Sequence, residues 1–75
     1  MTRAELIAWA TRNGWKLDGW GHMKKEFDNG THRLKLSRIG VRHEITTPWG
    51  WARMASAYYK DLHITAAGKL GGMNR

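Results

Sequence analysis

Hydrophobic residues near the start of the chain recur with the period of an α-helix. Leu6, Trp9 and Ala10 follow one another at spacings of three and one. Residues at i, i+3 and i+4 lie on one face of a helix, because a helical turn takes about 3.6 residues. The three side chains are therefore expected to form one buried stripe.

The residues that flank this stripe mark both ends of the helix. Thr2, followed three residues later by Glu5, has the spacing of a capping box, in which each side chain binds a free backbone amide. Gly14 suits the left-handed residue that commonly ends a helix, and Trp15 can then fold back on the last turn. These signals predict a helix over residues 3–13.

Residues 20–27 alternate with period two instead. Met23 and Phe27 share one side of the segment, and polar residues occupy most of the other side. The sequence Asp28-Asn29-Gly30 follows, and an Asn-Gly pair accepts the positive φ angles of a tight turn. A strand followed by a β-hairpin is predicted here.

The segment 31–46 also alternates, but its apolar residues change parity. Leu34 and Leu36 are even-numbered, whereas Ile39, Val41 and Ile45 are odd-numbered. A single regular strand would place these two sets on opposite faces, so an extra residue must shift the register. We therefore predict one long strand with a β-bulge over residues 37–40.

The last third of the chain has a mixed pattern. The sequence Thr47-Pro48-Trp49-Gly50 is typical of a turn, with proline at the second position and glycine at the fourth. Beyond it, helical and strand periodicities overlap, and we predict a third strand over 50–56 and a short helical segment over 57–62. Glycines near the end favour fraying after Leu70.

Together these elements predict an α+β fold. Its N-terminal helix packs on a three-stranded antiparallel sheet, with a short helical segment near the C terminus. Residues 1–70 would form one small basic domain, and residues 71–75 a flexible tail. The predicted core consists of Leu6, Trp9, Trp15, Met23, Phe27, Leu34, Leu36, Ile39, Val41, Ile45 and Leu62.

Composition narrows the class of protein. The 75 residues include five tryptophans and no cysteine, so packing rather than disulfides must stabilise a small core. No apolar run approaches the roughly 18 to 20 residues of a membrane span. A soluble cytoplasmic protein without membrane contact is expected.

Charge points to a polyanionic partner. Thirteen Lys and Arg against six Asp and Glu give a formal net charge of +7. A field of that sign on a small body attracts nucleic acid. With the predicted bulge, the basic residues of the long strand would share one face away from the core, and turn tryptophans could stack on bases. The predicted nucleic-acid-binding residues are Lys24, Arg33, Lys35, Arg38, Arg42, Arg53, Trp20, Trp49 and Trp51.

Other interpretations of these residues stay open. A basic strand face can simply be solvated, and exposed tryptophans also suit a protein interface. The main alternative to a non-catalytic nucleic-acid-binding protein is therefore a phage-type inhibitor or adaptor, anti-CRISPR-like, that binds a nucleic-acid-handling protein. A homodimer through an edge strand is possible in either case. The four histidines lie in no metal-binding spacing, and no metal, cofactor or catalytic residue is predicted.

The segment TRAELIAWATRNGWKLDGWGHMKKEF, in which Asn-Gly-Trp ends a helix and Gly-His precedes a strand, resembles the start of the HicA-type toxins. The resemblance implies a double-stranded-RNA-binding fold and, as a second alternative, a ribonuclease. In that family a histidine is catalytic, and His22 would correspond to it. The remainder of the chain looks like small phage or mobile-element proteins.

Overall fold

The computed structural model describes residues 1–74 and is mostly sheet. One helix precedes five antiparallel strands, which lie in the sheet in their sequence order. A three-residue 3-10 turn, Tyr59–Asp61, then leads into a separate two-stranded sheet. The elements are α1 (Arg3–Arg12), β1 (Lys16–Leu17), β2 (Met23–Phe27), β3 (Gly30–Leu36), β4 (Gly40–Thr47), β5 (Gly50–Tyr58), β6 (His63–Ile64) and β7 (Leu70–Gly71).

Among residues 1–74, no helix has the length and apolar character needed to cross a membrane.

The predicted fold class is therefore wrong in its sheet and in its C-terminal part. The main sheet has five strands rather than three. The end of β5 and the 3-10 turn Tyr59–Asp61 occupy residues 57–61, where a helical segment was expected, and β6 and β7 follow them. Strand pairing accounts for the difference, because backbone hydrogen bonds to β4 extend β5 as far as Tyr58. The sequence pattern of the segment contains no information about hydrogen bonds to a distant strand.

The N-terminal helix is confirmed, with both of its caps. Thr2 Oγ1 accepts from Glu5 N at 3.1 Å, and Thr2 N donates to a Glu5 carboxylate oxygen at 2.8 Å. At the other end Gly14 has a φ of +88° and Trp15 N donates to Ala10 O. Trp15 is thereby turned back into the core.

Two of the predicted turns are also confirmed. Phe27 pairs with Gly30, leaving Asp28 and Asn29 as a two-residue loop between β2 and β3. The loop between β4 and β5 has the same form, since Thr47 pairs with Gly50. In both loops the closing glycine has a positive φ, which a residue with a Cβ adopts only with strain.

The long strand predicted over 31–46 is instead two strands joined by a hairpin. Leu36 pairs with Val41, and the chain reverses between Ser37 and Gly40. Ser37 Oγ accepts from Gly40 N and donates to Gly40 O, which closes the loop. A reversal changes the parity of the inward-facing residues just as a bulge would, so the sequence pattern fitted both.

A β-bulge does occur, but between β4 and β5. His43 pairs with Ala55 while Glu44 pairs with Arg53, so Met54 is the extra residue. The shift leaves both Ala55 and Ala52 on the side of the sheet that faces the helix, and it turns Arg53 to the opposite side.

The core lies between α1 and the sheet, and four of the predicted core residues are not buried in it. Phe27 and Ile39 are exposed, and Trp9 and Ile45 are only half-buried. Ile39 is exposed because it lies at the tip of the unexpected hairpin. The buried hydrophobic residues are Leu6, Ala10, Trp15, Met23, Leu34, Leu36, Val41, Ala55, Tyr59 and Leu62.

The segment predicted as a flexible tail is attached to the rest of the molecule in the structure. Gly71 belongs to β7, and Asn74 forms an antiparallel bridge with Ser56 at the edge of β5. The indole of Trp9 donates to Gly68 O at 2.9 Å, which ties the C-terminal sheet to the helix. Arg75 lies outside the described residues.

Two histidines contact each other on the helix-facing side of the sheet. His32 Nδ1 lies 2.7 Å from His43 Nε2, and His32 Nε2 lies 2.8 Å from the Asn29 side-chain oxygen. If Asn29 accepts from His32, then His32 Nδ1 accepts from His43. Burial lowers the pKa of His32. Burial and the neighbouring His32 lower the pKa of His43.

Candidate nucleic-acid interface

The sheet has one face covered by the helix and one open face. Strand alternation assigns each residue to a face, and cross-strand partners share it. Lys16 pairs with Lys24, Lys24 with Arg33, and Lys35 with Arg42, so these residues are on the face opposite the core residues Met23 and Leu34. The basic face is defined here as the side chains of Lys16, Lys24, Arg33, Lys35, Arg42 and Arg53.

A carboxylate is buried within the basic face. Glu44 is 4% exposed although it lies on the open side of the sheet. Arg33 donates to one of its oxygens through Nε at 2.9 Å and through Nη2 at 2.5 Å. Arg42 Nη1 lies 3.6 Å from the other oxygen. Glu44 is thus paired on both oxygens and holds two arginines in place.

Trp51 covers the same arginine from the other side. The guanidinium carbon of Arg33 lies 4.1 Å from the Trp51 ring centroid, and Lys24 Nζ lies 5.5 Å from it. A cation over an indole face is attracted by the negative charge of the ring face. Arg33 is therefore enclosed between Glu44 and Trp51, and its role is to hold the face together rather than to meet a ligand.

The remaining cations are better placed for a ligand. The side chain of Arg42 is 52% exposed despite its contact with Glu44. The side chains of Lys16 and Lys35 make no hydrogen bond or ion pair within residues 1–74, and both residues are exposed. Arg53 donates to the Ser56 hydroxyl at 3.1 Å and is also exposed. These four side chains leave charged groups available to solvent on one rigid sheet.

Lys24 is partly neutralised at the edge of the face. Its Nζ lies 3.4 Å from Asp18 Oδ2, and Asp18 Oδ1 accepts from the backbone amides of Trp20 and His22. The His22 amide above all, then the Trp20 amide and Lys24, lowers the pKa of Asp18 against the opposing effect of burial. Asp18 therefore fixes the β1–β2 turn as well as pairing with Lys24.

Three predicted residues are at the ends of the strands and not on the basic face. Arg38 lies in the β3–β4 turn and Trp20 in the β1–β2 turn, at one end of the sheet. Trp49 lies in the β4–β5 turn at the opposite end. Trp20 is 85% exposed and Trp49 93% exposed. The structure thus brings together five of the predicted cations and Trp51, and leaves these three outside.

Sequence analysis missed two contributors to the open side of the sheet. Lys16 was overlooked because β1 has only two residues, too few to show alternation. Tyr58 was assigned to a helical segment, whereas it ends β5 and is paired with Gly40. Its position could have been found only if the length of β5 had been known.

His22, the residue marked by the HicA resemblance, lies in the β1–β2 turn and is not one of the basic-face residues. Its Nδ1 accepts from Leu36 N at 3.1 Å, so it joins the β1–β2 turn to the end of β3. That bond leaves Nε2 as the ring nitrogen available for other contacts. The described residues contain no group of three side chains suited to holding a metal ion.

Comparisons with protein-family models, with curated proteins and with solved structures found no match to this chain.

Proposed function

We propose that this protein binds nucleic acid through the basic face, without catalysing a reaction. The observation that supports the proposal is the set of exposed cations on one sheet face, namely Lys16, Lys35, Arg42 and Arg53. Regularly spaced cations on a rigid surface can neutralise several phosphates at once and release their counterions.

The Arg33–Glu44–Trp51 cluster supports the same proposal by limiting the motion of the face. Arg42 is held by Glu44, and the ring of Trp51 lies across Arg33 and beside Lys24. Side chains fixed before binding lose less conformational entropy when a ligand arrives. Backbone contacts of this kind position a nucleic acid without reading its sequence.

Neutralising two exposed cations of the basic face tests the proposal. For the double variant Lys35→Gln and Arg53→Gln, we expect weaker binding and a flatter dependence of affinity on salt. Each lost phosphate contact should reduce the slope of log affinity against log salt by about 0.9 on duplex DNA and about 0.7 on a single strand. Fluorescence anisotropy of labelled DNA and RNA over a salt series gives both quantities.

The matched control removes the same charge elsewhere. Arg12, at the end of α1, and Lys69, before β7, are exposed on parts of the chain away from the basic face. The double variant Arg12→Gln and Lys69→Gln should keep the wild-type salt slope. If both double variants lose the same amount of affinity, net charge alone attracts the nucleic acid. If the affinity of the wild type does not depend on salt, the proposal is contradicted outright.

Exposed tryptophans favour a second candidate, an inhibitor or adaptor that binds a nucleic-acid-handling protein. Trp20 and Trp49 project from turns almost fully exposed, and tryptophan is enriched among residues that dominate protein interfaces. If the wild type captures a protein partner after nuclease treatment, Trp20→Ala and Trp49→Ala should each abolish the capture. The basic-face double variant should still capture the partner. The reverse pattern would speak against this candidate.

The ribonuclease suggested by the HicA resemblance has a simple test of its own. RNA cleavage by the wild-type protein that disappears in His22→Ala, with the melting temperature unchanged, would favour it. Intact RNA after prolonged incubation with the wild type would end it.

A further inference from the structure

A groove opens at one end of the basic face, where β3 turns into β4 and β5 ends. Its volume is about 460 Å³, within the range of about 300 to 1,000 Å³ found for pockets that bind small molecules. Lys35 and Arg42 line it on the side of the basic face, and Ile39 and Tyr58 supply apolar surface. Ser56 and Asn74 add polar groups at the edge of β5.

The groove is open because a glycine faces Tyr58. Gly40 is the cross-strand partner of Tyr58, and in an antiparallel pair the opposite side chain normally packs against its partner. Gly40 has no side chain, and Tyr58 is left 56% exposed. Only glycine fits at position 40 without a backbone shift, because a Cβ there would clash with the backbone oxygen of Ala57. Ile39 beside it is 59% exposed.

The chemistry of the groove suits a flat ring that carries a negative group. A tyrosine ring offers two faces for stacking, and Lys60 Nζ lies over one of them, 5.8 Å from the ring centroid. Lys35 and Arg42 are cross-strand partners, so their two positive charges lie side by side along the groove. A nucleotide combines an aromatic base with a phosphate and matches both parts.

We infer that this groove holds one unpaired base of a single-stranded nucleic acid, stacked on Tyr58, with a neighbouring phosphate bound by Lys35 and Arg42. The inference rests on the proposed function, because the strand reaches the groove across the basic face. Bases in a duplex are paired and stacked on each other, and taking one out requires energy. The protein therefore prefers a single strand to a duplex.

Removing the tyrosine ring tests the groove separately from the basic face. Loss of one base stack corresponds to about 1 to 3 kcal/mol by alanine substitution, which is about a 5- to 150-fold loss of affinity. We expect Tyr58→Ala to weaken binding of a short labelled single strand by this factor. The salt slope should stay unchanged, because no phosphate contact is removed. Duplex binding should be unaffected.

Three further variants make the result specific. Tyr58→Phe keeps the ring and should bind as the wild type does, whereas Tyr58→Leu keeps the bulk without the ring and should bind as Tyr58→Ala does. Ile64→Ala removes an exposed apolar side chain on β6, outside both the basic face and the groove, and should leave affinity unchanged. Thermal melts identify any variant that fails to fold.

The outcomes separate the inference from the proposed function. Salt-sensitive binding that is the same in Tyr58→Ala and the wild type, or equal affinity for single strand and duplex, overturns the groove assignment and leaves the basic face standing. Absence of salt-sensitive binding to any strand overturns both. If only Tyr58→Ala and Tyr58→Leu lose affinity for the single strand, the result supports the inference.

Discussion

Glu44 is the residue that allows arginines to be packed closely on an open sheet face. Arg33 contacts its carboxylate through two nitrogens, while Arg42 contacts the second oxygen. Without a negative charge at this position, the two guanidinium groups would repel each other and Arg33 would be enclosed without a counterion. A single acidic residue thus makes the basic face compatible with a folded sheet.

We therefore predict that Glu44→Gln destabilises the protein by about 3 kcal/mol, the lower end of the range for breaking a buried ion pair. Urea denaturation measures the free energy of unfolding directly. Glu26→Gln is the control, because Glu26 is an exposed carboxylate that accepts from the Thr31 hydroxyl and should change stability by about 0.5 kcal/mol or less. If Glu44→Gln and Glu26→Gln have similar denaturation midpoints, Glu44 does not stabilise the fold as predicted.

The contact between His32 and His43 predicts a dependence of stability on pH. Burial lowers the pKa of both residues in the folded state, and the His32 charge lowers that of His43 further. The unfolded chain therefore binds protons first as the pH falls. The stability contributed by the neutral pair is complete above about pH 6.5 and is lost as the pH falls from there to the folded pKa values.

Melting temperatures measured from about pH 7.5 down to about pH 5 should accordingly decrease. His43→Gln should reduce this decrease, because one of the two affected groups is gone. His63→Gln, on exposed strand β6, should keep the wild-type profile. A melting temperature that is constant over the range would contradict the neutral histidine pair.

At the level of elements, tertiary contacts decided which local signals became structure. Lys25 interrupts the alternation of β2 because it lies on the helix-facing side with Met23 and Phe27. Its Nζ donates to Asn13 O at 2.6 Å, which caps the C-terminal end of α1. A cation at a helix C terminus is favourable for the helix dipole as well.

The C-terminal sheet offers a prediction at the same level. Gly72 and Gly68 both have positive φ angles, of +94° and +78°, so alanine strains the backbone at either position. A Cβ at Gly72 would also contact Asp61 O, whereas nothing lies within 4 Å of one at Gly68. We expect Gly72→Ala to be the more destabilising, by about 1 to 3 kcal/mol beyond Gly68→Ala. Equal urea midpoints would mean that residues 71–74 are not attached as described.

At the level of the whole molecule, the charge is distributed unevenly over the surface. Of the twelve Lys and Arg residues within residues 1–74, six lie on the open face of the sheet, and the opposite face is covered by α1. Such an asymmetry orients the protein as it approaches a polyanion, so the basic face meets the ligand first.

Edge strands bear on assembly of the molecule. β1 and β5 are the edges of the main sheet. The β1 edge has only two residues, and part of β5 is covered by the bridge between Ser56 and Asn74. The bulge at Met54 further interrupts the exposed part of β5, and bulges discourage pairing between edges. The predicted homodimer thus has a restricted surface available, and sedimentation at several concentrations would test it.

The sequence by itself determined those features whose signals are contained in a few neighbouring residues. The helix was predicted with its capping box because Thr2 and Glu5 interact directly. The turns at Asp28 to Gly30 and Pro48 to Gly50 were predicted because proline fixes its own φ near a turn value and glycine accepts the positive φ that closes each loop. The alternation of Arg33, Lys35 and Arg42 with apolar residues correctly separated a basic side from an apolar side.

Only the tertiary structure decided the features that depend on partners distant in the sequence. The parity change between Leu36 and Val41 has the same appearance for a bulge and for a hairpin, and pairing of β3 with β4 selected the hairpin. The enclosure of Arg33 by Glu44 and Trp51, and the groove left open by Gly40 opposite Tyr58, need three adjacent strands. The hairpin, the enclosure of Arg33 and the groove share one physical reason. Backbone hydrogen bonds and core packing determine which strands are neighbours, and no local sequence pattern specifies them.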